Sequence, residues 1–148
     1  MQCARSNASA RPTIPARSSA LSGVEVAQLL GLDKDCVFKT LVTVGKSGDH
    51  FVFLVPVAEE LDLKKAADAV GEKSVSMVRS KELLGLTGYV HGGCSPLGMK
   101  KFFTTTLDET AELFDDIYFS GGRIGCQIKT SLNELAKAIP FKLADLTR

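Results

Sequence analysis

Strand-length apolar runs, separated by turns rich in glycine and charge, dominate the middle of this chain. Residues 37–44 (Val-Phe-Lys-Thr-Leu-Val-Thr-Val) have the β-branched and aromatic content of a strand, and residues 50–57 return as a second, almost continuously apolar one. Between them, Gly45-Lys46-Ser47-Gly48-Asp49 supplies a hairpin loop. Apolar character on both faces of the second strand predicts burial from two sides, in a barrel-like or helix-covered sheet. Helical signals flank this block. Ser22-Gly23-Val24-Glu25 is a capping box, followed by an apolar stripe (Val24, Ala27 and Leu30, or Val26 and Leu29) and stopped by Gly31. A second helix is predicted over 61–70, closed by Gly71, with Lys64 and Lys65 on its wet face.

Further along, residues 74–78 alternate small polar and apolar side chains as a short strand, and 80–85 read as a single helical turn capped by Ser80. Residues 102–107 predict a strand, and 108–114 carry mild helical character. Residues 117–120 and 125–129 predict a hairpin around Gly121-Gly122-Arg123-Ile124. Another capping box, Ser131-Leu132-Asn133-Glu134, opens a helix that runs to Ala138 and is ended by Pro140. Residues 141–148 form a tail whose docking the pattern leaves open. The pattern predicts an α+β fold with a mixed sheet.

Residues 88–101 break every periodicity. They read Gly-Tyr-Val-His-Gly-Gly-Cys-Ser-Pro-Leu-Gly-Met-Lys-Lys. Glycine tolerates positive φ and lets another molecule approach bare backbone, while proline fixes its own φ and restrains the residue before it. The stretch therefore describes a shaped loop with exposed amide N–H groups, able to cradle a phosphate, a carboxylate or a developing oxyanion. An ordinary tight connection between strands has the same composition. Lys39 is the second singular feature, because the period of two sets it between Val37 and Leu41 on one strand face. Such an ammonium is either a snorkelling edge lysine or a charge aimed into a pocket.

Length and composition fit this picture. A chain of 148 residues, 45% hydrophobic and 24% charged, is sized for one globular domain with a sizeable core. No apolar run approaches the ~18 residues of a membrane span, so no membrane partner is expected. The net charge of +1 is unevenly placed: residues 1–21 hold three arginines and no acid, leaving 15 basic against 17 acidic residues beyond them. A body without excess positive charge can contact RNA only through a local patch. The Arg- and Ser-rich segment 1–21 reads as a disordered tail or a leader, with the folded domain over 22–148. Cys3, Cys36, Cys94 and Cys126 are scattered without a Cys-x-x-Cys pair, which argues against a zinc site or a disulfide framework and fits reduced cytoplasmic thiols.

Conventional catalytic constellations are absent. His50 and His91 lack the neighbours of a nucleophile–base pair, and Cys94 has no evident activating partner. Asp115-Asp116 reads as a solvated turn. What remains is a lysine on a strand, a Gly-Gly loop and a hairpin carrying Ser120-Gly121-Gly122. Such a set suits binding and polarising an ester joined to a phosphate-bearing molecule.

Four segments in one order carry a resemblance: Val-Phe-Lys39-Thr-Leu, Leu-Asp-Leu-Lys-Lys at 61–65, the loop at 88–101, and Ile-Tyr-x-Ser-Gly-Gly-Arg-x-Gly at 117–125. Together, over about residues 22–139, they resemble the YbaK/EbsC family of trans-editing deacylases, which is similar to the editing domain of bacterial prolyl-tRNA synthetases. The resemblance implies a mixed, barrel-like sheet with helices packed around it. It also implies removal of a mischarged amino acid, foremost Cys from Cys-tRNA(Pro), by substrate-assisted ester cleavage without a cofactor or metal. Lys39 matches the central catalytic lysine. Gly92, Gly93, Ser95, Pro96 and Gly98 of the loop, with Ser120, Gly121 and Gln127 of the last hairpin, match the substrate pocket. Lys100, Lys101 and Arg123 are the candidate RNA contacts. Aminoacyl-tRNA is the implied partner, with prolyl-tRNA synthetase a further candidate. The chain departs from the family at its start, where Ser22-Gly23 replaces an aromatic-Gly pair, and at Gln127, where some members carry an acid. The altered start keeps a rival reading open: a module that binds aminoacyl-tRNA or a synthetase without turnover.

Overall fold

The computed structural model describes residues 2–3, 34–90, 93–123 and 126–148. The helix predicted at 22–31 lies outside the described residues. A two-residue strand, β1 (Gln2–Cys3), comes first, and the predicted hairpin follows as β2 (Phe38–Gly45) and β3 (His50–Pro56). These pair antiparallel from Phe38↔Pro56 to Val44↔His50, across a turn in which Gly48 takes φ 96°. Past β3, Asp62 caps helix α1 (Leu63–Val70) by accepting from the N–H groups of Lys64 and Lys65 at 2.9 and 3.1 Å. Gly71, left-handed at φ 74°, ends that helix. Strand β4 (Val75–Met77) then pairs antiparallel with β2.

Helix α2 spans Ser80–Thr87, longer than the single turn expected. Its N-cap is Arg79, which makes no side-chain cap bond, so the expected Ser80 cap is not formed. After the glycine-rich loop, β5 (Thr104–Asp108) lies parallel to β3. The hairpin β6 (Ile117–Ser120) and β7 (Gln127–Thr130) follows. Helix α3 (Leu132–Ala138) opens as predicted, with Ser131 Oγ accepting from Glu134 N–H at 3.2 Å.

The tail docks. Its residues form β8 (Lys142–Ala144), parallel to β5, and Leu146 beyond it is fully buried. Asp108 Oδ1 accepts from Leu146 N–H at 2.9 Å, and Asp62 N–H donates to Leu146 O at 2.7 Å. Lys65, placed by its sequence on the wet face of α1, instead donates to Asp145 Oδ2 at 2.9 Å and to Thr147 O at 2.7 Å.

The strands form a five-stranded mixed sheet, β4-β2-β3-β5-β8, and a three-stranded antiparallel sheet, β1-β7-β6. One parallel bridge, Val37↔Tyr118, joins them. The α+β class therefore holds, whereas the expected barrel does not close among the described residues. Edge strands β4 and β8 are three residues each and offer too few backbone groups to complete a cylinder.

Period-two alternation gives the large sheet two buried faces. Phe38, Val42, Val52, Leu54 and Leu107 look into one core with Ile117, Phe119 and Leu135, while Phe51, Phe53 and Val55 look into another under Ala66 and Ala67 of α1. This two-sided burial is why β3 is apolar almost throughout. Each such side chain contributes about 1.5–3 kcal/mol. Cys36 and Cys94 are buried outside any disulfide, but Cys126 is disulfide-bonded, which corrects the reading of all four cysteines as reduced. Spacing along a chain does not report approach in space. Among the described residues no helix is long and apolar enough to cross a membrane.

Candidate active site

Residues paired across a bridge share a face, so the Val37↔Tyr118 bridge aligns the faces of β2 and β6. Two residues on along each strand stand Lys39 and Ser120, and Ser120 is the register partner of Gln127 on β7. Lys39, Ser120 and Gln127 therefore lie on one face, drawn from strands far apart in sequence. Lys39 is half-buried at the rim of the core under α1, with Val55 as its cross-strand partner. Loss of water around its ammonium lowers the pKa, while the carboxylates of Glu60 and Glu59, in the turn after β3, push the other way. This is a charge held partly out of solvent and not a side chain that has snorkelled free. Gln127 is only 8% exposed, and its Oε1 has no hydrogen-bond partner among the described residues. An orphaned buried carbonyl costs about 1–3 kcal/mol, so a donor brought by a ligand would relieve it.

The glycine-rich loop is built around Tyr89. Its hydroxyl donates to Leu97 O. At Gly98, φ is 69° and an added Cβ would stand 2.9 Å from the Tyr89 hydroxyl oxygen. At Gly122, in the β6–β7 turn, φ is 106° and an added Cβ would stand 3.0 Å from Tyr89 Cε1. The tyrosine ring thus clamps the loop to the hairpin, and both glycines are demanded by conformation and by space. Gly121 is demanded by space alone, since a Cβ there would meet Cys126 Sγ at 2.8 Å.

Several loop groups face inward. Gly93 is buried and donates its N–H to Val90 O at 3.0 Å, and Gly121 donates to Cys126 O at 2.7 Å. Neither of these two amides points outward as a free donor. Ser95, 1% exposed, accepts from Leu97 N–H at 3.2 Å, and Pro96 is buried beside it. These two shape the loop from within. Cys94, Leu97 and Met99 pack into the core on the sheet face opposite Lys39. Tyr89 packs against that same core, and its contact with Gly122 ties the loop to the β6–β7 turn. Gly92 and His91 lie outside the described residues.

Burial pushes the Cys94 thiol up to about 11, against a smaller opposing effect of its hydrogen bond with Thr87. A thiol in that state is not a nucleophile at neutral pH. His50 packs its ring 5.6 Å from that of Phe103. Lys100, Lys101 and Arg123 are exposed, and none forms an ion pair among the described residues. The Lys100 stem lies over Gly88, next to Tyr89, and Arg123 follows Gly122 in the turn that Tyr89 contacts. Sequence reasoning missed Tyr89, Glu59 and Glu60. An aromatic beside a glycine-rich loop was the available signal for the first. The glutamates became visible only once register set the end of β3 against the start of β2.

The family model for an aminoacyl-tRNA editing domain matches residues 18–138. The chain belongs to this family. Within that match fall Lys39, the glycine loop and the β6–β7 hairpin, while β8 and Leu146 lie beyond it. The editing domain is 44% identical over 127 residues to EbsC of Enterococcus faecalis, named as a candidate Cys-tRNA(Pro)/Cys-tRNA(Cys) deacylase, covering 86% of this chain and 77% of that one. It is 30% identical over 84 residues to the proline–tRNA ligase of Pelobacter propionicus, spanning 15% of that larger enzyme and 57% of itself. A crystal structure described as a candidate trans-editing enzyme for prolyl tRNA synthetase superposes with a TM-score of 0.81 at 30% identity. That superposition covers 93% of this chain and 85% of the other. The YbaK/EbsC affiliation thus rests on the whole editing domain and not on isolated motifs.

Proposed function

We propose that this editing domain is an aminoacyl-tRNA deacylase that acts in trans on Cys-tRNA(Pro), without cofactor or metal. The observation that carries the reading is the shared face of Lys39, Ser120 and Gln127; Cys94, the described thiol of the glycine loop, is buried in the core on the opposite face and held protonated. The relative named as a Cys-tRNA(Pro)/Cys-tRNA(Cys) deacylase supports the substrate. With no activated thiol among the described residues of the loop, the substrate supplies its own nucleophile. The cysteinyl thiolate attacks its ester carbonyl, the carbon–oxygen bond to the ribose breaks, and the ribose oxygen takes a proton. The resulting thiolactone is opened by water to free cysteine.

Lys39 stabilises the oxyanion that forms during attack. A half-desolvated ammonium does this better than a hydrated one, because its field is less screened and it needs no reorganisation. Ser120 and Gln127 hold the aminoacyl group on the same face. The glycine loop, from Gly92 to Gly98, and Gly121 wall the pocket with backbone. Lys39, Lys100, Lys101 and Arg123 meet the RNA phosphates, and prolyl-tRNA synthetase is the partner from which charged tRNA would be received.

The rival, a module that binds charged tRNA without turnover, draws on the Ser22-Gly23 departure at the start of the domain. Purified protein at substoichiometric concentration should release cysteine from Cys-tRNA(Pro) over many turnovers. Release of at most one amino acid per protein molecule would leave the binding module standing and remove the enzyme.

A further inference from the structure

Large apolar side chains left about half exposed gather near the base of the glycine loop: Leu84 on α2, Val90, and Phe102. The base is pinched where Lys100 N–H donates to Thr87 O at 3.1 Å and the Lys100 stem lies over Gly88. Val90 leaves the pinch on one side and Phe102 on the other. Entry into β5 explains the exposure of Phe102: the chain alternates there, so Phe103 turns inward to 8% exposure and Phe102 turns out. A single exposed apolar residue needs no explanation. Phe102 differs because Lys100 and Lys101, both exposed and without an ion pair among the described residues, immediately precede it.

An exposed aromatic directly after two unpaired cations is complementary to a strand of unpaired nucleotides, whose bases stack while its phosphates meet the lysines. A second copy of this chain fits the same surface poorly, since a two-fold contact would set these lysines against themselves. We propose that Phe102, with Lys100 and Lys101 immediately before it, is a stacking platform for the unpaired bases of an RNA 3′ end. The proposal rests on the reading that the substrate is aminoacyl-tRNA. It adds the element that holds the strand bearing the ester, beside the loop that walls the pocket. Stacking tolerates any base, so the platform would grip the end of a tRNA regardless of its identity.

The test is binding of uncharged RNA by the full chain. Two probes serve: a hairpin with a four-nucleotide 3′ overhang, and the same hairpin blunt-ended. Phe102→Ala and Phe102→Leu should weaken overhang binding about tenfold or more and leave the blunt probe unchanged, while Phe102→Trp retains the preference. Lys100→Ala and Lys101→Ala should weaken both probes and each reduce the salt slope by about one. Wild-type overhang affinity in Phe102→Leu, or equal weakening of both probes, would overturn the platform. So would a dimer that dissociates on Phe102→Ala. The proposed activity is judged separately. Ring-dependent overhang binding without deacylation leaves the platform and removes the enzyme. Deacylation with normal overhang binding by Phe102→Leu does the reverse.

Discussion

Replacing Lys39 with methionine should lower deacylation of Cys-tRNA(Pro) by roughly a hundredfold or more and leave the fold intact. The magnitude is that of removing one preorganised electrostatic contact from a transition state. Methionine matches the length of the lysine stem and suits a rim shared with Leu41 and Val55. It also removes an ammonium whose partial desolvation is unfavourable in the folded state, as its lowered pKa reports. The attraction to Glu59 and Glu60 that is lost involves exposed carboxylates and is worth little. Thermal unfolding should therefore be unchanged or slightly raised. Single-turnover rates on saturating Cys-tRNA(Pro) supply the other half of the measurement. A variant that cleaves within about threefold of wild type would remove Lys39 from the chemistry.

Cys-tRNA should be cleaved at least about a hundredfold faster than Ser-tRNA, although the two differ by one atom. Recognition in a pocket rarely separates such close analogues strongly, so a ratio of this size would mark chemistry and not fit. A thiolate is far the better nucleophile near neutral pH. The protein side is equally specific, because the one described thiol in the loop, Cys94, is buried and held protonated near 11. Methylating the substrate sulfur should stop cleavage while the RNA still competes for binding. Equal rates on Cys-tRNA and Ser-tRNA would make the thiol irrelevant, and a water held near Lys39 would have to act instead. Loss of activity in Cys94→Ala with Lys39 intact would point to a protein thiol.

Local chemistry was readable wherever a few adjacent residues decide the outcome. The β-branched and aromatic run before Gly45, the glycine stop at Gly71 and the Ser131 cap each contain their own instructions, and each element forms. Of the short strands, β4 was readable from its alternation, but β1 and β8 were not; they exist through their partners, β7 and β5. The face of Lys39 followed from alternation, but the company it keeps did not. Ser120 and Gln127 join it through a bridge between residues 37 and 118, a contact no local pattern encodes. The role of the loop glycines was legible as freedom of φ and not as direction. Gly98 and Gly122 take positive φ against Tyr89, whereas the N–H of Gly93 turns inward.

The parallel pairing of β3 with β5 has a kinetic consequence. The hairpin β2–β3 is local and can form within microseconds. Matching Phe51 with Thr104 must first close the whole intervening segment, which contains α1, β4, α2 and the glycine loop. The clamp by Tyr89 on the β6–β7 turn then waits for a still later part of the chain. We therefore expect the site to be the last region to consolidate during folding and the first to open in the folded protein. Native-state hydrogen exchange would show it. The Lys100 amide, bonded across the loop base to Thr87, should exchange through local opening, while the amides of Val52 and Leu54 exchange only through global unfolding. Equal protection at both places would mean that the loop belongs to the same cooperative unit as the sheet. If they differ, destabilising the β3–β5 seam would silence the enzyme well before it unfolds it.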